Sequence, residues 1–165
     1  MIDLLLTAIL LAPTDTATAI QPNTQSVNIY ESRIALERPN RGAYASAIRE
    51  AAEVPPKHRD WATCVLRRES GGVLHNKQSR EDARNDSSSA AGRWQFLKAW
   101  QHGGSFMVRD RLVDFGVPEQ NAKRVREYLG SIPIYKWDGY WQDILFNEVV
   151  DQGGKHHWSG GGYTC

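Results

Sequence analysis

The sequence predicts a mainly α-helical fold, α+β at most with one small hairpin. Three observations carry this. Apolar residues recur three and four positions apart in successive segments. Glycine or proline stands where each segment stops or starts. One polar stretch, 73–92, shows no such period and reads as irregular loop.

Taken in order, Tyr44 to Glu53 is alanine-rich and suits a short helix, stopped by Val54-Pro55-Pro56. Asp60 to Glu69 reads as a second helix with Asp60 as N-cap. Trp61, Cys64, Val65 and Arg68 share one of its faces, and Gly71-Gly72 ends it. Helical character resumes over Trp94 to Gln101. Ser105 is placed to cap a helix running to Phe115, with Gly116 just beyond. Pro118 opens the next helix, whose apolar stripe is Ala122, Val125 and Leu129 and whose close is Gly130. Trp141, Ile144, Leu145 and Val149 mark a last helix ended by Gly153-Gly154, followed by a glycine-rich tail from His156 to Cys165. There is no internal repeat. Helices separated by one polar loop are expected to form a compact body with a cleft.

The length, 165 residues, fits one domain or one domain plus an appendage. Residues 1–19 read as a signal peptide: Leu4 to Ala12 is almost wholly apolar and Ala17-Thr18-Ala19 fits a cleavage site. Asp3, where positive charge belongs, leaves an ordinary helix or loose end as the other reading. Residues 20–42 read as a linker or arm, and 43–165 as the folded domain. Twenty Lys+Arg against nineteen Asp+Glu excludes a strongly basic nucleic-acid binder and an acidic tail. No apolar run reaches the ~18 residues a membrane-spanning helix needs. The arginines at 109–111 and 123–126 lie among Asp110, Asp114 and Glu127, so ion-paired helix faces explain them better than nucleic acid does. Cys64 and Cys165 are the whole thiol inventory. In an exported chain they suggest one disulfide; two unrelated buried thiols are the alternative.

Glu69 is the first candidate for chemistry. It falls at a helix C-terminus, where the backbone's partial negative charge disfavours a second negative charge. That is useful for a general acid that must protonate a departing oxygen. Arg67 and Arg68 work against it, but as close neighbours they are expected to point to other helix faces. By itself a helix-terminal glutamate is an ordinary surface residue. His156, His157, Glu148 and Asp151 could supply metal ligands, but adjacent histidines on a glycine-rich loop converge poorly and no HExxH spacing exists. Neither a metal nor a cofactor is therefore called for.

The company Glu69 keeps is more specific. Glu69-Ser70-Gly71-Gly72 precedes Asn85-Asp86 and then Gly92-Arg93-Trp94-Gln95-Phe96-Leu97, with Trp100 after. This order resembles the lysozyme-like transglycosylases, especially the resuscitation-promoting-factor type of actinobacteria and their phages. Residues 58–101 resemble the family well. Gln142-Asp143 and the Trp158-to-Cys165 close do so loosely, and 102–140 is longer and more charged than the family's compact form. The resemblance implies a lysozyme-like fold with a substrate cleft and a peptidoglycan-cleaving enzyme of the cell envelope, secreted or carried in a phage virion. Its partners would be peptidoglycan glycan strands, with virion or envelope proteins beside them. Glu69 would be the acid/base on the β-1,4 bond between N-acetylmuramic acid and N-acetylglucosamine. Gln95 would bind the sugar from the far wall, and Ser70 would support Glu69 or the substrate. Trp94 and Trp100 would offer sugar platforms or belong to the core. Asn85 would shape the cleft floor or simply a turn. Asp86, ahead of Glu81 and Asp82, is the candidate second carboxylate. Without one, the route is closure of the muramyl 6-hydroxyl onto C1 to give a 1,6-anhydro sugar; with one, hydrolysis becomes available. A non-catalytic wall-binding or virion module with the same fold is the competing reading.

Overall fold

The computed structural model describes residues 36, 39, 41–160 and 165. The signal-peptide reading, and nearly all of the arm, lie outside these residues. The described chain is mainly helical. Helix α1 is Ala45–Ala51, α2 Arg59–Ser70, α3 Trp100–Asp114, α4 Glu119–Ser131 and α5 Gly139–Asp151. Short 3-10 turns cover Pro56–His58, Ile134–Lys136 and Gly154–Trp158. The hairpin reduces to two isolated bridges, Arg84 with Ala91 and Ala91 with Phe96.

Helix α5 is the axis of the fold. Ten of its 13 residues are buried, among them Trp141, Ile144, Leu145, Phe146 and Val149. A helix apolar nearly all round belongs in a core. α3 packs on α5 and on α4, and α1 lies against α3 and α5. The α3–α5 approach is close because Gly104 has no side chain; a Cβ there would sit 2.9 Å from Leu145. The expected stripe of α4, Ala122, Val125 and Leu129, is buried as a unit. Leu36, from the arm, packs on the core, and its carbonyl accepts from Trp141 Nε1 at 3.4 Å.

Four expectations about boundaries are corrected. Trp94 to Gln101 is not a helix: Gly92 to Gln95 form a turn, Phe96 pairs with Ala91, and α3 begins at Trp100 and runs through Ser105. Ser105 is buried within α3, its hydroxyl donating to the His102 carbonyl at 2.7 Å, and caps nothing. Asp60 lies inside the first turn of α2, whose N-cap is His58. The buried face of α2 is Ala62, Val65 and Leu66, while Cys64 is exposed.

The two cysteines are joined, Cys64 to Cys165, with Cα atoms 5.6 Å apart across a sequence separation of 101. A loop of that length contributes roughly 4–5 kcal/mol by restricting the unfolded chain. No described helix is long and apolar enough to cross a membrane.

The N-terminus of α5 is closed by two carboxylates. Asp138, the N-cap, accepts from Tyr140 N at 2.9 Å, and Glu81 Oε2 accepts from Gly139 N at 2.8 Å. Burial pushes both carboxyls above their ordinary values, against the lowering effect of those backbone hydrogen bonds. A raised carboxyl holds its proton longer in the folded state, so its contribution is full below the ordinary carboxylate pKa, about 4, and is lost as pH rises through the raised value. Glu81→Gln keeps an acceptor for Gly139 but no titration. The expected result is a smaller loss of stability than wild type as pH rises above the ordinary carboxylate pKa, about 4, read as urea midpoints.

Candidate functional site

Helix α2 stops because Gly71 adopts the left-handed conformation, φ 71°, and returns its N–H to the Arg67 carbonyl. Glu69 sits in this last turn with its side chain 24% exposed. Arg68, expected to point away, folds back instead. Its Nε and Nη2 both donate to Glu69 Oε1, at 3.0 and 2.6 Å. The same Nη2 donates to the Trp158 carbonyl at 2.5 Å. A long flexible side chain goes where two acceptors meet, not where helix position alone would send it. Glu69 Oε2 accepts no hydrogen bond among the described residues.

Ser70 does not touch the Glu69 carboxyl. Its hydroxyl donates to the Arg93 carbonyl at 2.7 Å and accepts from Gly72 N at 3.3 Å, while Arg80 Nε donates to the Ser70 carbonyl at 2.9 Å. The serine thus fastens the end of α2 to the turn that carries Gln95. That turn is tightly specified. Gly92 has φ 79°, and a Cβ on it would lie 2.2 Å from Gln142 Oε1. That oxygen accepts from Arg93 N at 2.8 Å. Gln95 holds a positive φ of 55°, uncommon outside glycine, and its Nε2 donates to the Gly92 carbonyl at 2.9 Å. Trp158 Nε1 donates to the Trp94 carbonyl at 3.0 Å. Glu69, Ser70 and Gln95 are therefore on adjoining segments, joined through Arg68, Trp158 and the 92–95 turn.

The foundation of this junction is a buried charge cluster. Asp143 Oδ1 contacts Arg93 Nε at 3.0 Å and accepts from Trp94 Nε1 at 2.7 Å; its Oδ2 contacts Lys77 Nζ at 2.8 Å. Arg93 and Asp143 are both wholly buried. The Arg93 guanidinium also donates to the carbonyls of Asn76 and Lys77, at 2.7 and 2.5 Å, and of Val73 at 3.1 Å. Gln142 Nε2 donates to the carbonyls of Glu81 and Trp137, each at 2.9 Å. An irregular loop carries backbone groups that need partners, and these α5 and Arg93 side chains supply them. Sequence reasoning marked Gln142-Asp143 only by resemblance and missed Arg93 and Lys77. The one local signal was a long charged residue between glycine and tryptophan.

Trp94 is corrected as a sugar platform. It is 0% exposed, stacked on Phe146 at 3.5 Å between ring centroids, and so has no face to offer. Trp100 is half-buried and lines a small depression of about 80 Å³ with Gln95, Leu97 and His157. Asn85 accepts from Ser87 N and Oγ, both at 2.9 Å, which makes it a turn former. It also lines a larger cavity of about 320 Å³ with Phe96 and Tyr135. Phe96 borders both cavities, and Glu69 lines neither. Asp86 is exposed on the loop. Glu81 is removed from the second-carboxylate candidates, since it is engaged at the start of α5.

The alternative metal ligands at the far end of α5 are otherwise occupied. Arg111 Nη1 contacts Glu148 at 3.2 Å and Asp151 at 2.7 Å. Among the described residues, no group of three or more His, Cys, Asp and Glu side chains is arranged to hold a metal ion. No protein-family model, curated protein or solved structure significantly matches this chain.

Proposed function

We propose that the chain is a peptidoglycan-cleaving enzyme with a lysozyme-like fold, acting on the β-1,4 bond between N-acetylmuramic acid and N-acetylglucosamine with Glu69 as acid/base. The observation that carries the reading is the Ser70-to-Arg93 hydrogen bond, which sets the Glu69 helix end against the turn bearing Gln95. The disulfide supports a location outside the reducing cytosol, at the cell envelope or in a phage virion.

In this mechanism the glycosidic oxygen approaches Oε2, since Oε1 is held by Arg68. Glu69 in its acid form gives that proton to the leaving N-acetylglucosamine oxygen as the C1–O bond breaks. The resulting carboxylate, to which the Arg68 contact is suited, takes the proton of the muramyl 6-hydroxyl as its oxygen bonds to C1. The charge is restored, no water is consumed, and the product is a 1,6-anhydro sugar. With Glu81 engaged elsewhere, Asp86, ahead of Asp82, is the loop carboxylate to support hydrolysis instead. Gln95 binds the sugar backbone and Trp100 borders the glycan path.

Mass spectrometry of fragments released from purified cell wall tests the reading. The expected products are disaccharide peptides ending in anhydromuramic acid. Reducing ends would replace the anhydro route by hydrolysis, and no release at all would leave a wall-binding module.

A further inference from the structure

We infer that the cavity of about 320 Å³ between the 84–91 loop and the Pro133–Tyr135 turn is a second binding site, for a carboxylate-bearing peptide attached to the glycan. The identification of the ligand rests on the proposed action on peptidoglycan; the cavity and its charge do not. Two cations line it, Arg84 and Lys98, and no acidic residue does. Neither cation forms an ion pair with a described residue. The Arg84 guanidinium lies over the Tyr135 ring, 3.8 Å from its centroid. That contact places the guanidinium without using an acceptor, and a guanidinium so placed can take a carboxylate through two parallel hydrogen bonds.

The remaining walls choose among anions. Ala91, Phe96 and Ile134 give the cavity an apolar side. A bare phosphate has no use for such a surface, whereas alanine methyl groups and the lactyl methyl of a muramyl peptide would be desolvated against it. Phe96 also borders the depression that holds Gln95 and Trp100, so a peptide seated here would leave its sugar beside that depression. The Pro133–Tyr135 wall comes from the 102–140 stretch, the part of the chain that departs from the resembled family. That stretch would then serve to recognise the stem peptide, so that peptide-bearing glycan is preferred to naked glycan.

Titration calorimetry tests this with three probes on the full chain: muramyl dipeptide, chitotriose and inorganic phosphate. Muramyl dipeptide is expected to bind in preference to both others, and more weakly as salt is raised. In Arg84→Gln/Lys98→Gln its dissociation constant is expected to rise at least about tenfold, with chitotriose binding and the circular dichroism spectrum unchanged. Equal muramyl dipeptide affinity in wild type and double variant would overturn the inference, as would chitotriose binding as tightly as muramyl dipeptide. Phosphate binding as tightly would assign the cations to a phosphate polymer instead and overturn the peptide. The binding measurement does not need turnover, so a wild type that binds muramyl dipeptide through Arg84 and Lys98 but releases nothing from cell wall would sink the catalytic reading alone.

Discussion

On the proposed function, Glu69→Gln is expected to lower release of glycan fragments from purified cell wall by about 100- to 10,000-fold, the range that a positioned acid/base supplies. The amide is nearly isosteric and keeps an oxygen for Arg68, which donates to Oε1 through two nitrogens. It has no proton to give to a leaving oxygen and no charge with which to take one back. The variant should therefore lose no more than about 1–2 kcal/mol of stability, the difference between a charged and a neutral acceptor for the partly buried Arg68. Dye-labelled wall and a urea titration on the same preparations read both quantities. Equal release from both proteins would remove Glu69 from the chemistry, and a large loss of stability would make the loss of activity uninformative about catalysis.

Asp143→Ala is the second large effect, and it falls on the fold. The substitution strands Arg93, which is 0% exposed, and withdraws the partner of Lys77 and the acceptor of Trp94 Nε1. Breaking one side of a buried ion pair costs about 3–5 kcal/mol because an uncompensated charge remains in the interior. Chemical denaturation should show that loss as a lower midpoint at unchanged slope. Removing both charges, Asp143→Leu with Arg93→Met, should recover part of it, although the carbonyls of Val73, Asn76 and Lys77 then lose their donors. A cost below about 1 kcal/mol for Asp143→Ala would mean that water enters and solvates Arg93.

The helices that could be read in the sequence are those whose stopping signals and apolar spacing agree. α4 has Pro118 immediately before it and a stripe at Ala122, Val125 and Leu129, and it is found almost as read, one residue past Gly130. α5 likewise needed only Trp141, Ile144, Leu145 and Val149. The misreading at Trp94 has a definite cause. Trp94 and Phe96 bury their rings from a turn and the bridge that follows it, and what holds the turn is Gln142, 49 residues from Arg93, whose effect no local window contains. Arg68 escaped for the same reason, since the carbonyl it reaches belongs to Trp158, 90 positions away. The link between the end of α2 and the 92–95 turn was legible only as an order of motifs. The hydrogen bonds that produce it run between side chain and backbone across the polar loop, where periodicity carries no information.

Those long-range ties also set a schedule for biosynthesis. Gln142, Asp143 and Trp158, which hold the 92–95 turn, are among the last described residues to be synthesised, and Cys64 waits for Cys165. A nascent chain emerging N-terminus first can wind α2 early, yet the ties from Arg68 and Trp94 to Trp158 form only once residue 158 is out. The junction of α2 with the 92–95 turn is therefore completed late, after residue 158 has emerged and Cys64 has met Cys165.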